Sequence, residues 1–267
     1  MLARLRSDAL HHTGGGRHRS GAVLPPPDVA HVLRLQRAIG NRATTRLLRQ
    51  PVAQPHALKT AGITTDSKID KNTPKWIQAA FDESQVLRPY LRGKFPGSSV
   101  TDGKFKVYDD ERSFNEAAKR KQNDSRQLTP TELATEYGDW GGFYDRQTHM
   151  VHVRSRTKFG NALHEAMHRV AHPAFDGFWD TFVNEGVTQY FTDCLLKEQG
   201  LPEVTNHKYQ AELACAKQLI ADTSWEMVAS AYFLNDQRLR EALERRLKVN
   251  TDTLRKDLRA NKVCARL

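Results

Sequence analysis

The sequence predicts an α+β domain with a small antiparallel β element followed by a helical C-terminal half. Residues 143–154 alternate apolar and polar positions around an Asp-Arg-Gln-Thr turn, which is typical of a β-hairpin. From residue 159 onward, apolar residues recur at helical spacing, with interruptions at Pro173 and Gly200. We therefore expect the strands of the domain to come first and most of its helices last.

The folded domain is expected to span 73–267 and to open with a helix. Thr73 is placed as the N-cap and Pro74 at the first helical position, which proline favours. A strand is predicted over 104–108, and Ser113 and Glu116 are placed as the capping box of a short helix. The further helices are predicted over 113–121, 130–137, 209–221, 224–234 and 236–246, with a frayed or docking tail over 250–267.

The most informative stretch is 162–170, which reads Ala-Leu-His-Glu-Ala-Met-His-Arg-Val. His164 and His168 lie one helical turn apart, so both imidazoles can reach one point, as two ligands of a tetrahedral zinc ion do. Glu165 directly follows the first histidine and can address a water at that point. The pattern has few fixed positions, and a surface helix with an ordinary His–Glu pair also fits it.

A second motif, Asn184-Glu185-Gly186, favours the metal-binding interpretation. A catalytic zinc ion needs a third protein ligand and an open fourth position, and Glu185 can be that ligand if the chain turns back. Pro173 predicts such a turn, because proline cannot extend a helix. For Glu185 to reach the histidines, the second helix must start near Asp180 or Thr181, since a start near Asp176 carries Glu185 too far.

Together these residues resemble the gluzincin metallopeptidases, of the thermolysin and aminopeptidase type. The resemblance covers about 143–233 and implies a zincin-like fold over 73–267. It implies Zn2+ bound by His164, His168 and Glu185, with Glu165 as the general base of peptide-bond hydrolysis. The ligand spacing is shorter than in that family. His172 does not fit the metzincin pattern, and we interpret it as a supporting or surface histidine.

The motifs do not identify the group that stabilises the transition state. His207, Tyr209 and Tyr232 are candidates because they lie downstream near the predicted cleft, although each also fits a plain core or surface position. Gln189, one turn after the Asn-Glu-Gly motif, is expected to support a metal ligand. The hairpin over 143–154 resembles the zincin strand that pairs with extended substrate, and an ordinary edge hairpin fits equally well.

The net charge of +10 is concentrated at the N-terminus. Residues 1–60 hold ten Lys and Arg against two Asp, whereas the remainder holds 31 Lys and Arg against 29 Asp and Glu. A nearly neutral folded part argues against a nucleic-acid-binding domain. No window approaches about eighteen apolar residues, so we expect no membrane span. The first residues lack an apolar core, so we expect no signal peptide.

The N-terminal segments are expected to serve delivery. Residues 1–27 are predicted to be a disordered basic arm, 28–50 a short amphipathic docking segment, and 51–72 a linker. Two short amphipathic helices cannot form a core alone, so 28–50 must pack on the domain or on a partner. Its Leu-Gln-Arg and Ile-Gly-Asn triplets, followed by Leu47-Leu48, resemble the N-terminal segment of cargo proteins of bacterial extracellular contractile injection systems. A generic docking helix is the alternative.

These resemblances imply a zinc metalloendopeptidase that acts as a toxin or effector on a protein or peptide substrate. It would be made in the bacterial cytoplasm, loaded into an injection particle through 28–50, and delivered into a target cell. Two alternatives remain open, namely a non-enzymatic particle component with a structural or vestigial zinc site, and a zinc-dependent peptidoglycan amide hydrolase.

The three cysteines are few and widely spaced. Cys194, Cys215 and Cys264 therefore predict no disulfide framework and fit a reducing compartment.

Overall fold

A computed structural model describes residues 56–91, 100–204 and 209–267 of the chain. The predicted arm over 1–27 and the docking segment over 28–50 lie outside the described residues. The described part is α+β, as predicted. None of its helices is both long and apolar enough to span a membrane.

Among the described residues, three strands form one sheet in the order β1-β3-β2, namely β1 (Phe105–Tyr108), β2 (Gly142–Asp145) and β3 (Met150–Arg154). The predicted hairpin is confirmed, since β2 and β3 are antiparallel with Tyr144 opposite Val151. The prediction of an antiparallel element is wrong for β1, which is parallel to β3. A parallel pair needs a crossover connection, and the helices between β1 and β2 supply it.

Within residues 56–91 and 100–141, five helices precede the hairpin, namely α1 (Ala57–Thr60), α2 (Thr73–Glu83), α3 (Arg88–Leu91), α4 (Glu111–Lys121) and α5 (Pro130–Tyr137). The predicted capping box at Ser113 is wrong, because the carboxylate of Asp110 accepts from the backbone of Arg112 and Ser113 and starts α4 earlier. The capping box lies instead on α5, between Thr129 and Glu132.

In the described part of the chain after the hairpin there are seven helices, namely α6 (Phe159–Val170), α7 (Pro173–Glu198), α8 (Gln210–Asp222), α9 (Trp225–Leu234), α10 (Arg238–Leu247), α11 (Thr251–Arg259) and α12 (Val263–Arg266). The helices predicted over 209–246 are confirmed within two residues. The main core lies among these helices. Leu163 and Met167 of α6 are fully buried in it.

Two segments, predicted as a linker and as a frayed or docking tail, are packed against the core. In the predicted linker, Leu58 is fully buried, and Glu83 accepts a hydrogen bond from the backbone of Ala57. In the predicted C-terminal tail, Leu254 and Leu258 of α11 are buried. Both segments carry isolated apolar residues in polar surroundings, so local composition gives little sign of their burial.

The expectation of free cysteines is also wrong for one pair. Cys215 of α8 and Cys264 of α12 form a disulfide, whereas Cys194 is a free thiol. The two partners are 49 residues apart, so their pairing depends on the tertiary fold.

Candidate metal centre

The helix α6 presents its two histidines on one side. It ends at Val170, and Ala171 is extended with ψ 150°. His172 then caps α7, because its Nδ1 accepts the backbone N–H of Ala174 at 3.1 Å. His172 is therefore a capping residue, placed two residues beyond the end of α6.

A break inside α7 sets the position of Glu185. The helix starts at Pro173, but Asp180 is non-helical, with φ 61° and ψ 161°. The part that carries Glu185 thus begins at Thr181, as the predicted geometry requires. The side-chain amide of Asn184 donates to Asp176 at 2.8 Å and so joins the two parts across the break.

Three donor atoms converge between α6 and α7. The Oε2 atom of Glu185 lies 3.1 Å from Nε2 of His164 and 3.3 Å from Nε2 of His168. The two Nε2 atoms are 3.2 Å apart. Donors that share a tetrahedral zinc ion at about 2.0 Å lie about 3.3 Å from one another. Among the described residues, this group can hold a metal ion.

A residue of α7 contacts the Nδ1 atom of each imidazole and so orients the ring. Nδ1 of His164 lies 3.0 Å from Oε1 of Gln189, whose amide nitrogen donates to Asp193 at 2.8 Å. Nδ1 of His168 lies 3.2 Å from the hydroxyl of Thr188. In neutral His164, the amide orientation makes Nδ1–H the donor, so the lone pair on Nε2 faces Glu185. Either a proton on Nε2, which makes a hydrogen bond to Glu185, or a cation between these atoms would remove the resulting repulsion.

The same proximity shifts two pKa values. Burial lowers the pKa of His164, but the hydrogen bond to Glu185 and the charges of Glu165 and Glu185 outweigh burial and raise it. Burial raises the pKa of Glu185, but the charge of His168 and the two imidazole hydrogen bonds outweigh burial and hold it well below its usual range. Protons and a metal ion therefore compete for the same imidazole nitrogens.

Glu165 lies beside the donor group at the wall of a cleft of about 640 Å³. Strand β2 lies against it, because an added Cβ at Gly142 would lie only 3.0 Å from Cγ of Glu165 and 2.8 Å from Cγ1 of Val153. Glycine at this position therefore allows the strand and the carboxylate to approach each other.

Tyr209 closes the other side of the donor group. Its ring stacks on His164 with centroids 5.2 Å apart and an interplanar angle of 3°. Burial, the charges of Glu185 and Glu165 and a hydrogen bond to Glu185 raise the pKa of Tyr209. Tyr209 also lines the cleft.

A second transition-state candidate, Tyr232, does not line the cleft. Tyr232 is fully buried, and its hydroxyl lies 2.7 Å from that of Thr188. An aromatic residue in a helix fits the core and a cleft equally well, so local sequence does not distinguish these two positions for Tyr232. His207 lies outside the described residues.

Strand β2 forms an edge of the described sheet and borders the cleft. The backbone N–H of Arg154 donates to the carbonyl of Gly141 at 3.1 Å. In an antiparallel pair every second residue bonds to the neighbouring strand, so counting from Gly141 the residues between face the other way. This alternation turns the backbone groups of Gly142 and Tyr144 outward. At the hairpin turn, Arg146 forms an ion pair with Asp176 across the cleft.

Sequence reasoning missed Thr188, Asp193 and Gly142. Thr188 follows Glu185 by three positions and Asp193 follows Gln189 by four, so helical spacing was an available signal for both. The role of Gly142 depends on how closely β2 approaches α6, which local sequence does not reveal.

No match was found when the chain was compared with family models, with curated proteins and with solved structures. The class of protein is therefore inferred from the geometry of the site and the chemistry of its residues.

Proposed function

We propose that this chain is a zinc-dependent peptidase with a zincin-like fold that hydrolyses peptide bonds of a protein or peptide substrate. The observation that carries the proposal is the convergence of His164, His168 and Glu185, with separations of 3.1, 3.2 and 3.3 Å, in the wall of an open cleft.

The donor set fits zinc. Two imidazoles and one carboxylate are a frequent ligand set of catalytic zinc, which keeps a fourth position open. Structural zinc sites usually have four protein ligands, whereas three are present among the described residues. A zinc ion held there would polarise a water molecule and a substrate carbonyl. The position beside a cleft therefore favours catalysis over a purely structural role.

Glu165 is proposed as the general base. Its carboxylate takes a proton from the attacking water as the new carbon–oxygen bond forms. It then gives that proton to the amine nitrogen as the carbon–nitrogen bond breaks. Tyr209 is proposed to donate its hydroxyl proton in a hydrogen bond to the developing oxyanion.

The edge of β2 supports a peptide as the substrate. The outward backbone groups of Gly142 and Tyr144 can pair with an extended chain laid along the cleft. Such pairing holds a peptide through its backbone, whereas a glycan would not match the ladder of donors and acceptors.

Glu165→Gln tests the proposed chemistry. We expect the rate of peptide cleavage to fall by about 10²–10⁴-fold, because the amide cannot accept the proton, while bound zinc is retained. Glu241→Gln, which alters an exposed carboxylate on α10, is the matched control and should cleave normally.

Cleavage would be followed by mass spectrometry on a mixed peptide library, with purified peptidoglycan in a parallel reaction. Unchanged cleavage by Glu165→Gln would exclude Glu165 as the base. Products from peptidoglycan alone would favour the amide hydrolase alternative. Zinc binding without any hydrolysis would favour the non-enzymatic particle component.

Delivery by a contractile injection particle stays a prediction from the resemblance of 28–50. Deleting 28–50 should abolish loading into particles and leave cleavage by the purified protein unchanged. Loading that survives the deletion would contradict the predicted role of this segment.

A further inference from the structure

A chain of hydrogen bonds leads from His168 away from the cleft into the core. Nδ1 of His168 lies 3.2 Å from Oγ1 of Thr188, which lies 2.7 Å from the hydroxyl of Tyr232. The Tyr232 hydroxyl donates to the carbonyl oxygen of Met167 at 3.3 Å. Thr188 and Tyr232 are both fully buried, so bulk water does not compete for these bonds.

The last acceptor in this chain is a carbonyl freed by the end of α6. In a continuing α-helix, the backbone N–H of Ala171 would donate to Met167. It donates instead to His168, because the helix ends there. The hydroxyl of Tyr232 therefore satisfies a buried carbonyl oxygen at the helix terminus.

The carbonyl sets the direction of every bond in the chain, because it can only accept. Tyr232 donates to Met167, so its oxygen accepts from Thr188, and the oxygen of Thr188 accepts Nδ1–H of His168. With the proton on Nδ1, Nε2 of His168 keeps its lone pair toward Glu185. The opposite direction would put the proton on Nε2 and would leave the carbonyl without this donor.

We propose that Tyr232 is a positioning residue that fixes the tautomer and orientation of His168 through Thr188. Aromatic packing holds Tyr232 itself in place, with the ring of Phe175 at 5.0 Å and the ring of Phe191 at 5.3 Å. The inference rests on the proposed metal centre, and it assigns to Tyr232 a task different from contact with substrate. Partners of metal-bound histidines typically change metal affinity by about 10–100-fold.

The test is zinc affinity, measured by competition with a chromophoric chelator. Tyr232→Phe and Thr188→Val should each weaken zinc binding by about 10-fold or more, and Thr188→Ser, which keeps the hydroxyl, should restore it. The double variant Thr188→Val/Tyr232→Phe should bind zinc no more weakly than Thr188→Val alone, because both substitutions interrupt the same chain of hydrogen bonds.

Tyr137→Phe is the matched control. The Tyr137 hydroxyl donates to Asp124 at 2.9 Å, and this tyrosine belongs to a separate core cluster with Phe114 and Phe143. Its removal should lower the melting temperature and leave zinc affinity unchanged.

Each outcome decides the inference. If wild type binds zinc and Tyr232→Phe binds it equally well, the inference is wrong and the metal centre stands. If wild type binds no zinc, both fail. If the variants do not fold, histidine NMR of the zinc-loaded wild type decides, since a His168 ligated through Nε2 with a slowly exchanging Nδ1–H supports the inference and ligation through Nδ1 overturns it.

Discussion

At the residue scale, the contribution of the Tyr209 hydroxyl can be tested without disturbing the packing of its ring. The ring lies flat on His164, and phenylalanine at this position would keep that stack. Tyr209→Phe should therefore lower kcat by about 10²-fold, because one donor to the oxyanion is lost, with KM and zinc content nearly unchanged. Steady-state kinetics and metal analysis of the variant provide the measurement. A normal kcat would mean that Tyr209 does not contact the oxyanion.

His152 makes stability depend on pH at a distance from the metal centre. It is 9% exposed, stacks on Phe143 at 4.6 Å, and its Nδ1 meets the hydroxyl of Tyr108 at 2.8 Å. Burial lowers the pKa of His152 to about 4. In the unfolded chain this imidazole titrates near its usual pKa of about 6.5.

The direction of the pH effect follows from these values. Between pH about 6.5 and 4, His152 binds a proton in the unfolded chain but not in the folded protein. The free energy of unfolding therefore falls as the pH falls, by up to about 3 kcal/mol. Urea unfolding at several pH values measures this loss. His152→Phe should reduce it, whereas the control His149→Asn, at an exposed histidine, should not. Equal acid sensitivity in His152→Phe and wild type would assign the loss to other groups.

At the scale of elements, the position of the break in α7 was predictable, but the helical segment before it was not. The requirement that Glu185 reach the histidines predicts a helix start near Asp180, and the break lies there. The helical segment before it was not predicted, because the contacts of Asp176 with Arg146 and Asn184 join parts of the chain that sequence alone does not bring together. A positive φ in aspartate costs about 1–3 kcal/mol and persists only when such contacts hold it.

Two glycines of α7 offer a matched test of how α7 and α8 are packed. An added Cβ at Gly186 would lie 2.0 Å from the carbonyl oxygen of Glu212, whereas one at Gly177 would have no atom of the described residues within 4 Å. Gly186→Ala should destabilise the protein by about 2 kcal/mol or more, because the added methyl group pushes α8 away from α7. It should also weaken zinc binding, because Glu185 lies on α7 and Tyr209 directly precedes α8. Gly177→Ala should be neutral or stabilise by up to about 1 kcal/mol.

Thermal unfolding and zinc titration of both variants provide the measurement. A Gly186→Ala protein as stable as Gly177→Ala would contradict the close packing of α8 on α7. Normal zinc affinity in a destabilised Gly186→Ala protein would mean that this packing does not position Glu185.

At the scale of the whole molecule, the features that local pattern dictates were predictable. The hairpin follows from its alternation, and α9 begins after Ser224 because that serine caps it. The parallel pairing of β1, the burial of Leu58 and Leu254, and the disulfide between Cys215 and Cys264 were not predicted. Each of them joins residues far apart in sequence, so it depends on how the elements are arranged.

The metal centre combines a local property, which sequence predicts, with long-range contacts, which depend on the fold. The spacing of His164 and His168 places them on one helix face, and that is a local property. The approach of Glu185 is a long-range property, which was predicted only because a third ligand was required. The supporting contacts from Thr188 and Asp193 were not predicted, although their helical spacing from Glu185 and Gln189 was an available signal.

Zinc titration of the metal-free protein, followed by X-ray absorption at the zinc edge, tests the central claim most directly. We predict one zinc ion per chain, bound by nitrogen and oxygen donors that include two imidazoles, with much weaker binding in Glu185→Ala. A protein that binds no zinc at micromolar concentrations, a sulfur ligand from Cys194, or unchanged affinity in Glu185→Ala would contradict it.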